Sequence, residues 1–147
     1  MQGRATLFGA LVIASLVAAT PRDSAVILNS GSTNTVGFKI TVWSDGQASV
    51  APQNRDGSAA GVKSFTVPAA LATRFFADLA AARSSNAVTV PCMKSASFGT
   101  STHITWQGWV SPDLECPPKT SAGDALVKDV QDIREASGIG KEPLRQP

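Results

Sequence analysis

An apolar segment at the start of the chain decides which residues belong to the folded domain. Arg4 gives it one positive charge, and the residues from Ala5 to Ala18 (ATLFGALVIASLVA) carry none. A membrane-spanning helix needs about twenty mostly apolar residues, so this run has the length of a signal-peptide core instead. Val17 and Ala19 place small residues where a signal peptidase reads the chain. We therefore expect a signal peptide over 1–19, one domain over 20–140 and a disordered tail over 141–147.

The charge of the mature chain argues against two kinds of partner. The sequence has 13 basic and 11 acidic residues, and removal of Arg4 with the signal peptide leaves the two signs nearly balanced. Lysine and arginine form no run anywhere in the sequence. Binding to nucleic acid, or to a membrane after signal cleavage, is therefore not expected.

The two cysteines, Cys92 and Cys116, both lie in the mature part. In an oxidising compartment, secreted or periplasmic, a disulfide is their expected state. Closing a loop of this length stabilises a fold by roughly 3 to 4 kcal/mol on the chain-entropy estimate. A redox pair of the C-x-x-C type is absent from the sequence, so we expect a structural cross-link.

A first β-hairpin is predicted around Asp45-Gly46, a pair that accepts the backbone angles of a tight turn. The strand before it, over 35–42, alternates apolar and polar residues, whereas Gln47–Ala51 returns antiparallel. A three-residue loop would put Val50 on the same face as Val42, and a two-residue loop would turn it outward, so the register stays open. Pro52 cannot donate to a ladder, which makes the returning strand short or an edge.

A helix, a second hairpin and a second helix follow. The first helix is expected over 68–83, with Leu71, Phe75, Phe76, Leu79 and Ala82 on its buried side. The second hairpin is expected from a strand over 98–106, with Phe98 and Trp106 on its apolar face, and a turn at Gln107-Gly108. The last helix is expected to be capped by Ser121, to end at Gly138, and to bury Leu126, Val127, Val130, Ile133 and Ala136. The order ββαββα predicts an α+β fold: an antiparallel sheet with both helices on one face, closed by one disulfide.

Catalytic residues are sparse. His103 is the single histidine, and Ser95, Ser97 and Ser101 lie close to it in sequence, but no G-x-S-x-G elbow is present. Asp113 and Glu115 form a close acidic pair in a Pro-rich loop, where hydrogen bonds to turn amides are the favoured role over glycosidase chemistry. We predict no catalytic residue, no metal site and no cofactor.

The stretch from Cys92 to Pro117 (CMKSASFGTSTHITWQGWVSPDLECP) is the favoured binding region. It combines small polar residues, two tryptophans and a cross-linked end, which is more than a hairpin needs to fold. Trp106 falls on the apolar face, whereas Trp109 beside a turn has the position of an interface anchor. The candidate binding residues are Lys94, Ser101, His103 and Trp109.

This stretch contains two sequence motifs: C-x-K-S-x-S-F-G-T-x-T over Cys92–Thr102 and S-P-D-L-x-C-P over Ser111–Pro117. A third motif, G-S-T-N-T over Gly31–Thr35, is counted with them. The pattern resembles that of short secreted bacterial proteins of unknown function. The resemblance implies export and a shared fold, and it implies no catalytic residue.

Three functions are open at this point. The favoured one is a non-enzymatic extracytoplasmic binding or inhibitor-like module, whose partner is another extracytoplasmic protein. The second is a small secreted hydrolase that uses His103 with a nearby serine. The third is a structural or accessory envelope protein whose sheet edge pairs with another chain.

Overall fold

The computed structural model describes residues 22–53, 58–59, 61–85, 88–95 and 97–139. The predicted signal peptide and tail lie outside these residues. The described chain forms six strands and two helices in the order ββββαββα. They are β1 (Ser24–Asn29), β2 (Gly37–Trp43), β3 (Gln47–Gln53), β4 (Lys63–Thr66), α1 (Ala69–Ser84), β5 (Thr102–Trp106), β6 (Trp109–Val110) and α2 (Ser121–Ser137).

The α+β class, the antiparallel sheet and the disulfide are confirmed, but the sheet has six strands where two hairpins predict four. Its order is β4-β3-β2-β1-β5-β6, and every neighbouring pair is antiparallel. The two hairpins therefore do not pair with each other directly. β1 lies between them, hydrogen-bonded to β2 on one side and to β5 on the other.

The register of the first hairpin is settled by its turn. Ile40 pairs with Val50 and Val42 pairs with Ala48, so Val50 shares the buried face. Gly46 adopts φ +85°, a left-handed conformation that glycine reaches without a Cβ penalty, and its amide donates to the carbonyl of Trp43. Pro52 lies inside β3, beyond the Gln47–Val50 stretch that pairs with β4. The missing N–H of Pro52 therefore breaks no hydrogen bond to β4.

The predictions for Phe98 and for the cap of α2 are wrong. Phe98 is 67% exposed and lies in a turn, because the chain joins the sheet only at Thr102. The cap of α2 is Thr120, whose Oγ1 accepts from the Gly123 amide at 3.1 Å, and Ser121 is the first helical residue. Gly123 packs directly against the carbonyl of Val88, where a Cβ would collide with the oxygen. At its other end, the predicted glycine stop at Gly138 is confirmed, with φ +75°.

One hydrophobic core lies between the sheet and the two helices. α1 contributes Ala72, Phe75, Leu79 and Ala82, and α2 contributes Leu126, Val130 and Ile133; Leu71, Phe76 and Val127 are half-buried beside them, and Ala136, predicted buried, is exposed. The sheet contributes alternate residues of its strands, such as Ile27, Ile40 and Ile104, which pair across β2, β1 and β5. Within the described residues, neither helix has the length and apolar character that crossing a membrane requires.

Candidate binding site at one end of the sheet

Three segments that are far apart in sequence meet at one end of the sheet. β1 ends at Asn29 opposite Thr102, where β5 begins, so the residues after β1 lie beside those before β5. Backbone bonds join the two chains here: the Ser30 amide donates to the Ser101 carbonyl at 2.9 Å, and the Ser101 amide donates to Ser30 Oγ at 3.0 Å. The segment 111–117 closes the group, because the Leu114 amide donates to the Thr102 carbonyl.

A buried polar network holds this junction together. Asn29 Nδ2 donates to Thr102 Oγ1 at 2.9 Å, and the Thr102 hydroxyl donates to Glu115 Oε1 at 2.6 Å. On its other side, Asn29 Oδ1 accepts from the amide of Gly31 at 2.9 Å. Buried polar groups are costly unless they are satisfied, so this chain of bonds fixes three separate segments relative to one another.

Asp113 ties the 111–117 segment to the start of β5 and to the cross-linked region. Its Oδ1 accepts from the backbone amides of Thr102 and Glu115, each at 3.0 Å, and Lys94 Nζ lies 3.2 Å from its Oδ2. Burial raises the pKa of this carboxyl, but the two amides and the Lys94 ammonium outweigh burial and leave the pKa below its usual value. The sequence-based expectation of bonds to turn amides is confirmed for Asp113. Glu115 differs from it, because its carboxylate accepts from the Thr102 hydroxyl and the Asn29 side-chain amide.

The residues from 92 to 101, described except for position 96, form what we call the crosslinked loop. The Cys92–Cys116 disulfide ties its first residue to the 111–117 segment, as the sequence predicts. Gly99 donates its amide to the Ser95 carbonyl at 2.8 Å and packs so tightly there that a Cβ would collide with Ser95 and Lys94. The loop is thus closed on itself as well as cross-linked.

Two large apolar side chains point away from this restrained loop. Met93 is 100% exposed and Phe98 is 67% exposed. Val36, on the neighbouring loop, is also exposed, and that loop contacts the crosslinked loop because Asn34 Nδ2 donates to the Ser97 carbonyl at 3.4 Å. Large apolar side chains on a constrained loop are typical of contact surfaces.

The residues from 30 to 37, which we call the glycine loop, connect β1 to β2. Gly31 adopts φ +64°, and a Cβ there would lie 2.5 Å from the Gly37 nitrogen. The same holds in reverse, since a Cβ on Gly37 would lie 2.5 Å from the Asn29 carbonyl oxygen. The two glycines therefore let the ends of the loop pack backbone against backbone.

Of the four predicted binding residues, the structure brings Lys94 and Ser101 together at Asp113. Lys94 forms the ion pair described above, and the Ser101 side chain also stabilises the Asp113 carboxylate. Trp109 does not join them: it pairs with Trp106 at the far end of β5, about 13 Å along the strand at the usual rise per residue. It is half-buried and packs against the core, so it has no place in this site.

His103 lies on the open face of the sheet and is half-buried. Its Nδ1 is 2.9 Å from the Ser111 carbonyl oxygen, and since a carbonyl only accepts, Nδ1 carries the proton. Within the described residues, no serine hydroxyl is hydrogen-bonded to the ring. Ser111 Oγ instead accepts from the Ile104 amide and donates to the Pro112 carbonyl. The hydroxyl–imidazole contact that a serine nucleophile needs is therefore not formed here.

Sequence reasoning missed Asn29, Met93 and Phe98 as members of this site. Asn29 ends a strand that the alternation test does not detect, and Phe98 was counted as core. A signal for Phe98 was available in its flanks, since Ser97 and Gly99 are turn formers and not strand formers. Within the part of the chain that the structure describes, no group of His, Cys, Asp and Glu side chains is arranged to hold a metal ion.

Comparison with family models, with curated proteins and with solved structures finds no match to this chain. What this end of the molecule does therefore rests on its own residues: a disulfide, a buried polar network and close-packed glycines that together hold exposed apolar side chains in place.

Proposed function

We propose that this protein is a non-enzymatic, inhibitor-like binding module that acts outside the cytoplasm and contacts another protein through the crosslinked loop. The observation that carries the proposal is the contrast at Met93. This side chain is fully exposed, yet its neighbour Cys92 is covalently tied to Cys116 and Lys94 is paired with Asp113.

A restrained apolar loop binds with less entropic cost than a mobile one. Ordering a loop and its side chains on binding costs about 0.5 to 1.5 kcal/mol per immobilised side chain, and a loop ordered beforehand avoids much of that cost. Met93 and Phe98 supply adaptable and aromatic contact area, respectively. A partner with an apolar recess, flanked by groups that satisfy the loop's hydroxyls, fits this surface.

The proposed location outside the cytoplasm rests on two features of the chain. Residues 1–19 have the pattern of a signal peptide, and a disulfide between Cys92 and Cys116 persists in an oxidising compartment. The sequence and the disulfide fit a periplasmic and a secreted protein equally.

The two alternative functions have less support. The hydrolase alternative lacks a serine–His103 contact within the described residues. The envelope-protein alternative needs a long free sheet edge, whereas the edge strands β4 and β6 span four residues and two residues. Short edge strands are a usual protection against pairing with other chains.

Site-specific photo-crosslinking tests the proposal. A photoreactive amino acid is placed at Met93 in one version of the exported protein and at Val62 in another, and each is mixed with the extracytoplasmic fraction of the native host. Val62 is the matched control because it is 68% exposed, apolar and outside the crosslinked loop. We expect a discrete covalent adduct from position 93 that is absent from position 62. The Phe98→Ala variant should reduce that adduct at least fivefold.

The proposal is contradicted if positions 93 and 62 give the same adducts, or if neither gives one. It is also contradicted if Phe98→Ala leaves the position-93 adduct at its original yield.

A further inference from the structure

A cleft of about 320 Å³ opens along the glycine loop. Side chains that carry hydroxyls or amides form most of its lining: Ser30, Ser32, Thr33, Asn34, Thr35 and, from the end of β3, Gln53. None of the described residues that line it carries a charge. The volume is at the small end of the range for ligand sites, about 300 to 1,000 Å³, and suits a compact ligand.

A buried hydroxyl without a partner lies in this lining. Ser32 Oγ is buried and has no hydrogen-bond partner among the described residues. Its backbone is fully used, because the Ser32 amide donates to the Thr35 carbonyl at 2.8 Å and the Thr35 amide donates back at 3.4 Å. An unsatisfied buried polar group destabilises the fold, so a ligand atom that bonds this hydroxyl removes that penalty.

We propose that this cleft binds a neutral, hydroxyl-rich ligand, of which a monosaccharide unit is the fitting class. Serine and threonine hydroxyls and the Asn34 and Gln53 amides each both donate and accept, and that is the pairing a sugar hydroxyl requires. A phosphate or carboxylate would require a cationic partner, and a metal ion would require carboxylates or imidazoles; the described lining offers neither.

The cleft is held in shape before any ligand arrives. Gly31 and Gly37 pack backbone against backbone, and the Gly31 amide is anchored by Asn29 Oδ1. Ser30 Oγ is committed to the Ser101 amide and the Gly31 carbonyl. Among the other lining side chains, we assign two to the ligand: Ser32, whose hydroxyl is buried without a partner, and Gln53, at the end of β3. Neither Met93 nor Phe98 lines this cleft, although Asn34 joins the two loops through the Ser97 carbonyl. A ligand here is therefore a further function beyond the protein contact proposed above.

The test is an NMR titration of the isotope-labelled full chain with glucose, mannose, galactose and N-acetylglucosamine, each at millimolar concentration. We expect at least one sugar to produce saturable shifts in the backbone amides of the glycine loop and Gln53. Ser32→Ala and Gln53→Ala should each raise its Kd about tenfold, the loss expected from one well-made hydrogen bond. Ser64→Ala, on the exposed strand β4, is the matched control and should leave Kd unchanged. Inorganic phosphate should produce no shifts.

Ser32→Ala is expected to fold as the wild type does, because the hydroxyl it removes has no partner to lose. Its melting temperature, unchanged or slightly raised, separates a ligand role from a structural one. The inference is overturned if none of the four sugars shifts these amides, if both variants bind as tightly as the wild type, or if phosphate shifts the same amides. The sugar titration can fail while photo-crosslinking from position 93 succeeds, and the crosslinking can fail while the titration succeeds.

Discussion

Asn29 and Thr102 face each other on the adjacent strands β1 and β5, and their side chains share a 2.9 Å hydrogen bond at 3% and 2% exposure. The bond joins residues that are 73 positions apart in sequence. Through Thr102 it continues to Glu115, and through Asn29 it continues to Gly31, so the three segments of the candidate site share one buried anchor.

Asn29→Ala should destabilise the protein strongly, because it leaves the Gly31 amide without its acceptor and removes the donor to Thr102. We expect the free energy of unfolding to fall by about 2 to 3 kcal/mol, measured by urea denaturation. Asn34→Ala is the matched control, since Asn34 is exposed and makes one long bond of 3.4 Å. The change at Asn34 should stay within about 0.5 kcal/mol. Equal losses at the two positions would refute the anchoring role.

Gly31→Ala and Gly61→Ala separate steric packing from backbone conformation. Both glycines have a positive φ, +64° and +59°, so both variants bear the penalty of a left-handed non-glycine residue, about 1 kcal/mol. A Cβ at Gly31 also meets the Gly37 nitrogen and the Thr35 carbonyl oxygen at 2.5 and 2.6 Å, whereas at Gly61 it meets open space. We expect Gly31→Ala to lower the melting temperature several degrees further than Gly61→Ala.

Matching losses in thermal unfolding at positions 31 and 61 would show that the glycine loop is not closed backbone against backbone. In that case the cleft along the glycine loop would not be held in a fixed shape before a ligand binds.

Asp129 on α2 should make stability depend on pH. It is 1% exposed, and burial raises its pKa to about 6; Asp78 on α1 raises it too, while the bond from Arg74 opposes the rise. The folded state therefore holds a proton up to about pH 6, but the unfolded state releases it near the ordinary value of 3.8. Stability from this group is complete below the lower value and is lost as the pH rises through about 6, by roughly 2 to 3 kcal/mol.

Asp129→Asn mimics the protonated carboxyl and cannot titrate. Relative to the wild type, it should therefore gain stability as the pH rises from 4 to 7.5, while Arg74 keeps its partner Asp132. Urea denaturation of both proteins across this range measures the difference. Parallel curves would show that folding leaves the pKa of Asp129 at its ordinary value.

The sequence predicted the fold where one face of an element is buried and the other is solvated. Phe38, Ile40 and Val42 alternate with Lys39 and Thr41, and the period identifies β2. The central strand β1 was not predicted from the sequence. Its residues Ala25, Val26, Ile27 and Leu28 are all apolar, so they show no alternation of apolar and polar side chains. The strand β4 was not predicted for the opposite reason. Its four residues are all exposed or half-buried, so no buried face gives an alternating pattern.

The candidate site was predicted only in part, because its contacts are long-range. The disulfide and Asp113 were anticipated from residue types, and Lys94 and Ser101 from their position between the cysteines. Phe98 was misplaced because the alternation of β5 extends back through it by coincidence of residue type, whereas Gly99 and the disulfide hold that part of the chain away from the sheet. No local pattern pairs Asn29 with Thr102.

The proposed protein contact requires a rigid crosslinked loop, although Met93 is fully exposed. Backbone amide order parameters from ¹⁵N relaxation measure this directly for the oxidised protein and for the Cys92→Ala/Cys116→Ala double variant. We predict values of about 0.8 or higher at Met93, Lys94 and Gly99 in the oxidised protein, falling below about 0.6 in the double variant. Values below about 0.6 in the oxidised protein, or no difference between the two proteins, would contradict a crosslinked loop held rigid by the disulfide.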